Sequence, residues 1–494
     1  MNRITTPRGE SLKIIVPSQT LIGSPFTATI IAFLPNGRTN WHYDGTLQVT
    51  TEDPSAKGTG EVHAIPVSGG AFKHTMTFAT PGIHHISIRD TDRGLEARSN
   101  PINVQTGSSE LNLYWGDLHN HCGERNHHQG ISDAYAPLDY NYHFGRHVAA
   151  LDFMALSDHD QLGNWRPSII PIWDRFKKAA EYFYRPGEFV TLLGWEWTNG
   201  TNLCPGRPQY GQKCIYFRDG EGPIFSSNDP GSDTPEKLYD RLRAHRCFII
   251  PHHVSAPDNF YNNWDHHDPG LERLVEIYSV WGCGERPARE GNPYPIRADN
   301  GGDRDGHHVK DALARSYTLG FTAGGDTHDA APGGIGHTYN GLTGQFENRR
   351  WAKSSPHHPG IQGVWAEELT REAIFEAIFN RHTYGTTGAR IILKTELNSR
   401  PMGTVFPLRP NAPLIYKVSA TGTATITKME VVRNGETIHE VTPNEDQSEF
   451  TFEDTDPPSG QIHYYLRLTQ QDGHMAWASP HFLPGGRSKS WQIP

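Results

Sequence analysis

Long apolar runs are missing from this 494-residue chain. None approaches the roughly 18 consecutive apolar residues that span a bilayer, so no transmembrane helix and no membrane partner are expected. The first residues carry a basic side chain but neither the continuous apolar core nor the small-residue cleavage site of a secretory signal, and a cytoplasmic location is expected. Cysteine is scarce: Cys122, Cys204, Cys214, Cys247 and Cys283 are spread without C-x-x-C spacing. That pattern signals neither a disulfide framework nor a cysteine zinc site. Runs of basic residues are also absent, and the net charge is −10, which argues against a nucleic-acid surface.

What the chain has instead is histidine, 28 residues against 6 methionines, many of them clustered as HNH, NHH, DHD, PHH and DTHD. Histidine is the commonest metal ligand, so the clustering directs attention to metal chemistry. The length exceeds what one hydrophobic core serves, and two to four domains are expected. Up to about residue 108, short β-rich runs such as FTATIIAFL and TLQVTT alternate with turn clusters, the pattern of an Ig-like β-sandwich. From 109 to 390, strand-like runs alternate with helical patterns, as in an α/β domain, with helices expected at Trp173–Tyr184, after Thr234-Pro235 and after Thr370. From 391 to 494 the strand-and-turn texture returns, and Asn434-Gly435 marks a hairpin in a second expected sandwich.

Six apolar runs in the middle segment end in an acidic residue, a histidine or both. They lead into His119-Asn-His121, Asp158-His159-Asp160, Glu196, His252-His253, Glu276 and Asp326-Thr-His328. If these runs are parallel barrel strands, all six clusters converge at one rim, where such enzymes carry their chemistry. In the pairs His119/His121 and Asp326/His328, alternate strand residues project to the same face and can hold an ion between them. Imidazole and carboxylate donors suit zinc, manganese or iron, and a bridging Glu196 would bring two ions about 3.5–4 Å apart. An isolated strand-end histidine is more often a hydrogen-bonded structural residue; six clusters in register favour ligation. Asp158 and Asp160 are expected to orient imidazoles, and His253 and Glu276 stand as catalytic candidates beside Glu196 and Asp326. His127 and His128 fall on a loop, and His266, His267, His307, His308, His357 and His358 follow no apolar run and are expected at the surface.

The motifs GDLHNH, LDFMALSDHD, GWEWT, PHH, EIYS, GGDTH and YGTTGARI, in this order between Tyr114 and Ile391, resemble the polymerase and histidinol phosphatase (PHP) superfamily. The resemblance is stronger to its DUF3604 branch. It implies a distorted (β/α)7 barrel, here flanked by N-terminal and C-terminal β-sandwich domains, and a site for two and up to three divalent ions. It also implies that His119, His121, His159, Glu196, His252, Asp326 and His328 are ligands. Relatives usually carry histidine in a GHRN stretch where this chain reads Gly211-Gln212-Lys213-Cys214, and Gln212 is a poor zinc ligand. The loop after HxH also departs from the family pattern.

Hydrolysis of a phosphate ester on a small or oligomeric anionic substrate is the expected activity. A metal-dependent lyase or hydrolase on a carbohydrate and a metal-stabilised binding scaffold are the alternatives. Oligomeric state is left open by the sequence. Arg390, in TTGAR, is expected either to clamp an anionic substrate group with its planar fork or to bond carbonyls at a domain junction.

Overall fold

The computed structural model describes residues 9–35, 39–65, 70–122, 137–161, 169–199, 210–257, 260–296, 303–327, 331–333, 357–407 and 413–485. Within them the N-terminal region is sandwich-like. The strands Ser11–Ile15, Pro25–Phe33 and Ala71–Thr77 form one antiparallel sheet, and Gly60–Ala64, Gly45–Thr51, Ile86–Asp90 and Leu95–Arg98 form another. Alternate residues of both, including Leu12, Ile14, Phe26, Ile30, Leu47, Val49 and Ile88, close on a single apolar cluster. The opposite side chains Ile15, Ile31, Phe33 and Ala71 join a central cluster with Leu138, Met154 and Trp195, so the first sheet is buried on both faces.

The central strands run side by side in a fifteen-stranded sheet. Asn112–Asp117, Phe153–Leu156 and Val190–Asn199 are parallel neighbours. Val190–Asn199, Gly211–Phe217 and Cys247–Pro251 then pair antiparallel. On the other side Asn112–Asp117 pairs antiparallel with Ile361–Ala366, followed by Thr383–Thr386 and Met475–Ala478. Leu274–Ser279 and Gly320–Ala323 are parallel to each other in a separate small sheet. The expected (β/α)7 barrel is therefore not what the chain forms: the described residues are 44% strand and 13% helix, and no sheet closes on itself. One physical reason is that Gly211–Phe217 lies between Val190–Asn199 and Cys247–Pro251 and pairs antiparallel with both, which breaks the parallel order a barrel of this kind needs. Nor is the C-terminal region a separate sheet, since Thr383–Thr386 joins Met475–Ala478 and, through it, Ile462–Gln470 and Leu414–Arg433.

The helices form where local sequence favours them, at Trp173–Phe183, Pro235–Leu242 and Arg371–Phe379. The Thr234 and Thr370 hydroxyls accept from Lys237 N and Ala373 N and cap the latter two, and Pro235 occupies the first turn, where its missing N–H costs nothing. Asn434 and Gly435 both have positive φ in the tight turn between Leu414–Arg433 and Glu436–Val441. No helix among the described residues is long and apolar enough to cross a membrane.

Strand alternation divides the central sheet into two chemical faces. Val190, Leu192, Cys214, Tyr216, Phe248 and Ile250 pack in one cluster with Leu118, Phe153 and Leu274. Trp195, Trp197, Ile215, Phe217 and Ile249 point the other way into the helix-covered cluster. Lys213 also lies on that second face, fully buried, with Nζ 2.6 Å from Glu272 Oε1 and 2.7 Å from Asn262 Oδ1. Tyr239 donates to Glu272 Oε1 at 2.6 Å, and His267 Nδ1 lies 3.0 Å from Oε2. His267 and His308, expected at the surface, are thus held in polar networks, His308 by Asp303.

Burial opposes the Glu272 charge, but Lys213 and His267 hold its pKa down at about 2. The stability this carboxylate contributes is therefore full above its ordinary value of 4.5 and is lost as pH falls toward 2. Lys213→Met should cost about 3–5 kcal/mol in chemical denaturation, and Lys213→Met with Glu272→Met much less, because only the single variant strands a buried charge. Glu272→Gln should flatten the acid limb of the stability profile.

Candidate metal centre

The ligand candidates sit at the ends of the strands that carry the first apolar face. Past the regular strands the backbone remains laddered. Asp326 N donates to His119 O at 2.7 Å, His121 N to Thr327 O at 2.9 Å, Glu196 N to Asp158 O at 3.0 Å and Asp160 N to Glu196 O at 2.8 Å. These bonds draw on four separate sequence regions, at His119/His121, Asp158/Asp160, Glu196 and Asp326/Thr327. Asp117, buried at the head of the HxH turn, accepts from the backbone N–H groups of His119, Gly325 and Gly333 and so ties the GDLHNH turn to the GGDTH turn. Burial raises the Asp117 carboxyl to about 7 despite those donors. Asp326 and His253 adopt positive φ, a conformation that costs non-glycine residues free energy and is held here by the surrounding bonds.

At the centre lies Glu196, fully buried. Its Oε1 is 3.1 Å from His159 Nδ1 and 3.4 Å from His252 Nε2, and its Oε2 is 3.4 Å from His121 Nε2 and 3.6 Å from His119 Nε2. Asp326 Oδ1 is 3.1 Å from His121 Nε2 and 3.4 Å from His119 Nε2. Four donors about 2.0–2.1 Å from a zinc-sized ion would be separated from one another by about 3.3 Å, so the spacing fits a metal better than a mesh of hydrogen bonds. His119 Nε2, His252 Nε2 and Glu196 Oε2 are buried without a hydrogen-bond partner, an arrangement that a cation resolves. The buried groups that could hold an ion are His119/His121/Asp326, His121/His159/Glu196, His252/His253/Asp326 and His119/Glu196/Cys214/His252.

The charges conflict as expected of a cation site. Burial disfavours the His119 cation, yet Asp326, Cys214 and Glu276 hold its pKa well above the usual range. Burial, with His159 nearby, pushes His121 down to about 3. Glu196 is held well below the usual carboxylate range by His159 and His252 against the cost of its burial.

Of the residues expected from sequence, His119, His121, His159, Glu196, His252 and Asp326 are brought together; His328, His127 and His128 lie outside the described residues. His253 adjoins His252 and Asp326. Glu276 contacts the set through His119, its Oε2 lying 2.8 Å from Nδ1, the carboxylate–imidazole pairing that fixes a ring and leaves Nε2 facing a metal. Asp158 and Asp160 accept from backbone N–H groups, of Cys122 for the first and of Thr198 and Ser227 for the second, so they brace turns. Arg390 donates to the carbonyls of Ala149 and Ala150 at 3.0 and 2.6 Å, the junction role. Gln212 lies opposite Thr198 in the antiparallel register. Cys214 and Asp117 were not singled out from sequence. Cys214 could have been found by alternation, since it is two residues beyond Gln212 and directly opposite Glu196 in the antiparallel register.

A sequence profile of the family described as "Protein of unknown function (DUF3604)" matches residues 157–255 and 305–395. His159, Glu196, Cys214, His252 and Asp326 fall inside those segments, and His119, His121 and Glu276 outside them. The chain is 28% identical over 441 residues to an uncharacterized protein of Chlamydia muridarum, covering 85% of this chain and 65% of that one. It is also 28% identical over 432 residues to an uncharacterized protein of Chlamydia pneumoniae, covering 84% and 64%. The chain thus spans about two thirds of the length of these relatives. Among solved structures, a CARDB domain from Pyrococcus furiosus matches 20% of this chain and 94% of its own at 12% identity, with a TM-score of 0.14, too slight a likeness to bear on the fold.

Glu276→Ala frees the His119 ring, and a Cβ at Gly324 would lie 2.6 Å from both Glu276 Oε2 and His119 Cβ. Both Glu276→Ala and Gly324→Ala should therefore weaken metal retention about 10–100-fold in a chelator titration, with far-ultraviolet circular dichroism unchanged.

Proposed function

We propose that this chain is a metal-dependent hydrolase of phosphate esters, with two divalent ions, zinc, manganese or iron, held by His119, His121, His159, Glu196, His252 and Asp326. The observation that carries this reading is the sharing of Glu196, whose carboxylate belongs to two of the overlapping groups, His121/His159/Glu196 and His119/Glu196/Cys214/His252. A structural ion needs one closed set of about four ligands, whereas overlapping sets around a shared carboxylate suit a two-ion hydrolytic centre. Bound there, divalent ions would polarise a phosphoryl oxygen and acidify water toward neutral pH. The motif resemblance to the PHP superfamily supports phosphate as the transferred group.

The protein's own part is positioning and charge balance. Glu276 orients His119, Asp117 locks the two histidine-bearing turns, and Glu196 with Asp326 supplies the negative charge that offsets the ions. Burial and the nearby His252 push His253 down to about 3, so it is neutral at pH 7. With its Nδ1 buried and without a hydrogen-bond partner, His253 is a further neutral donor beside His252 and Asp326.

Turnover of an aryl phosphate, compared with aryl sulfate, aryl acetate and a uronate polymer, tests the proposal. The phosphate should be the substrate, with activity abolished by chelator, restored by zinc or manganese, and reduced at least about 100-fold in Glu196→Ala together with metal content. Full activity of a metal-free preparation in the presence of chelator would overturn it, as would equal metal content in Glu196→Ala and wild type.

A further inference from the structure

The cysteine at position 214 departs from the imidazole and carboxylate set around it. It lies on the Gly211–Phe217 strand, directly opposite Glu196 on one side and Ile250 on the other, and is 1% exposed. Its Sγ is 3.6 Å from His252 Nδ1, and Sγ, one nitrogen each of His119 and His252, and a Glu196 oxygen all lie within 4.8 Å of one another. Three atoms here have no hydrogen-bond partner: His119 Nε2, His252 Nε2 and Glu196 Oε2, on side chains no more than 2% exposed. The thiol is within hydrogen-bond reach of His252 Nδ1 and shares its group with the unpartnered His119 Nε2, His252 Nε2 and Glu196 Oε2. The group His121/His159/Glu196 contains no sulfur, and neither does His119/His121/Asp326.

We propose that Cys214 is a metal ligand, as thiolate, completing a position with His119, His252 and Glu196, so that the centre has one sulfur-containing position and one of nitrogen and oxygen donors only. This rests on the reading that the centre holds metal. Its consequence is selectivity. A soft thiolate favours zinc over manganese or magnesium, whereas imidazole and carboxylate discriminate less among divalent ions. The sulfur-containing position is thus the zinc position, and the other exchanges its ion more freely. Antiparallel pairing places the thiol there: had the strand run parallel to Val190–Asn199, the residue opposite Glu196 would come from a different register.

Cobalt(II) reports the ligand set without reference to catalysis. The full-length protein, stripped by chelator and loaded with cobalt, should show visible d–d absorption together with a near-ultraviolet thiolate-to-cobalt charge-transfer band. In Cys214→Ser the band should vanish and elemental analysis after dialysis should find about one zinc fewer per chain. Cys214→His, which keeps a donor in place, should lose the band yet retain the wild-type metal content, so the proposal stays testable even if the serine variant fails to fold. Visible d–d absorption without the charge-transfer band in wild type would overturn the role of Cys214 and leave the metal centre standing. A band that persists in both variants would assign the sulfur elsewhere and also overturn it. Absence of any cobalt or zinc binding would overturn both this inference and the function on which it rests.

Discussion

A single buried carboxylate organises this protein. Glu196 has no access to solvent, and an isolated charge in such a position costs far more than one hydrogen bond returns. Its two oxygens are instead met by four imidazoles arriving from the HxH turn, the DHD turn and the PHH strand end. None of those rings is a sequence neighbour of Glu196, so the site exists only when the strands are in register. The laddering that continues beyond the strand ends, through Asp158, His119 and Thr327, extends the rigidity of the sheet to the ligands.

That rigidity has an energetic base in the two faces of the central sheet. The apolar cluster beneath the candidate ligands contains Phe153, Leu192, Tyr216 and Phe248, large buried side chains packed against one another. On the opposite face the same strand that carries Cys214 carries Lys213, and its ion pair with Glu272 anchors the strand against the Pro235–Leu242 helix through Tyr239. A pair of this kind adds little net stability over an apolar replacement, but it penalises any register in which either charge lacks its partner. A one-residue slip would exchange Cys214 for Lys213 opposite Glu196, so register specificity and site chemistry are the same constraint.

The flanking regions brace this arrangement from both ends of the chain. Trp115 donates to Ser18 Oγ at 2.7 Å, and Arg390 holds the carbonyls of Ala149 and Ala150. On the C-terminal side a buried Arg467 pairs with Glu430 and Glu285, and Trp477 and Tyr465 donate to Glu285, which follows the strand containing Glu276. Because these polar groups are buried, they must find their partners in one another, which fixes how the C-terminal strands meet the strand that positions His119.

The helices at Trp173–Phe183, Pro235–Leu242 and Arg371–Phe379, the Asn434-Gly435 turn and the apolar runs ahead of each histidine cluster were legible in the sequence because their causes are local: caps, turn chemistry and hydrophobic periodicity. Spacing and residue type were likewise enough to nominate His119, His121, His159, Glu196, His252 and Asp326. What the sequence could not determine was strand direction and sheet membership. Antiparallel pairing of Gly211–Phe217 with Val190–Asn199 departs from the expected closed barrel, and Thr383–Thr386 links the C-terminal strands to the central sheet. The same limit hid Cys214 and Asp117, and left Glu276 without its partner, because alternation points to Cys214 only once the register of its strand opposite Glu196 is known. Local residues determined which side chains could bind a metal; pairing between distant strands decided which of them face one another, since hydrogen-bond register depends on partners that no sequence window contains.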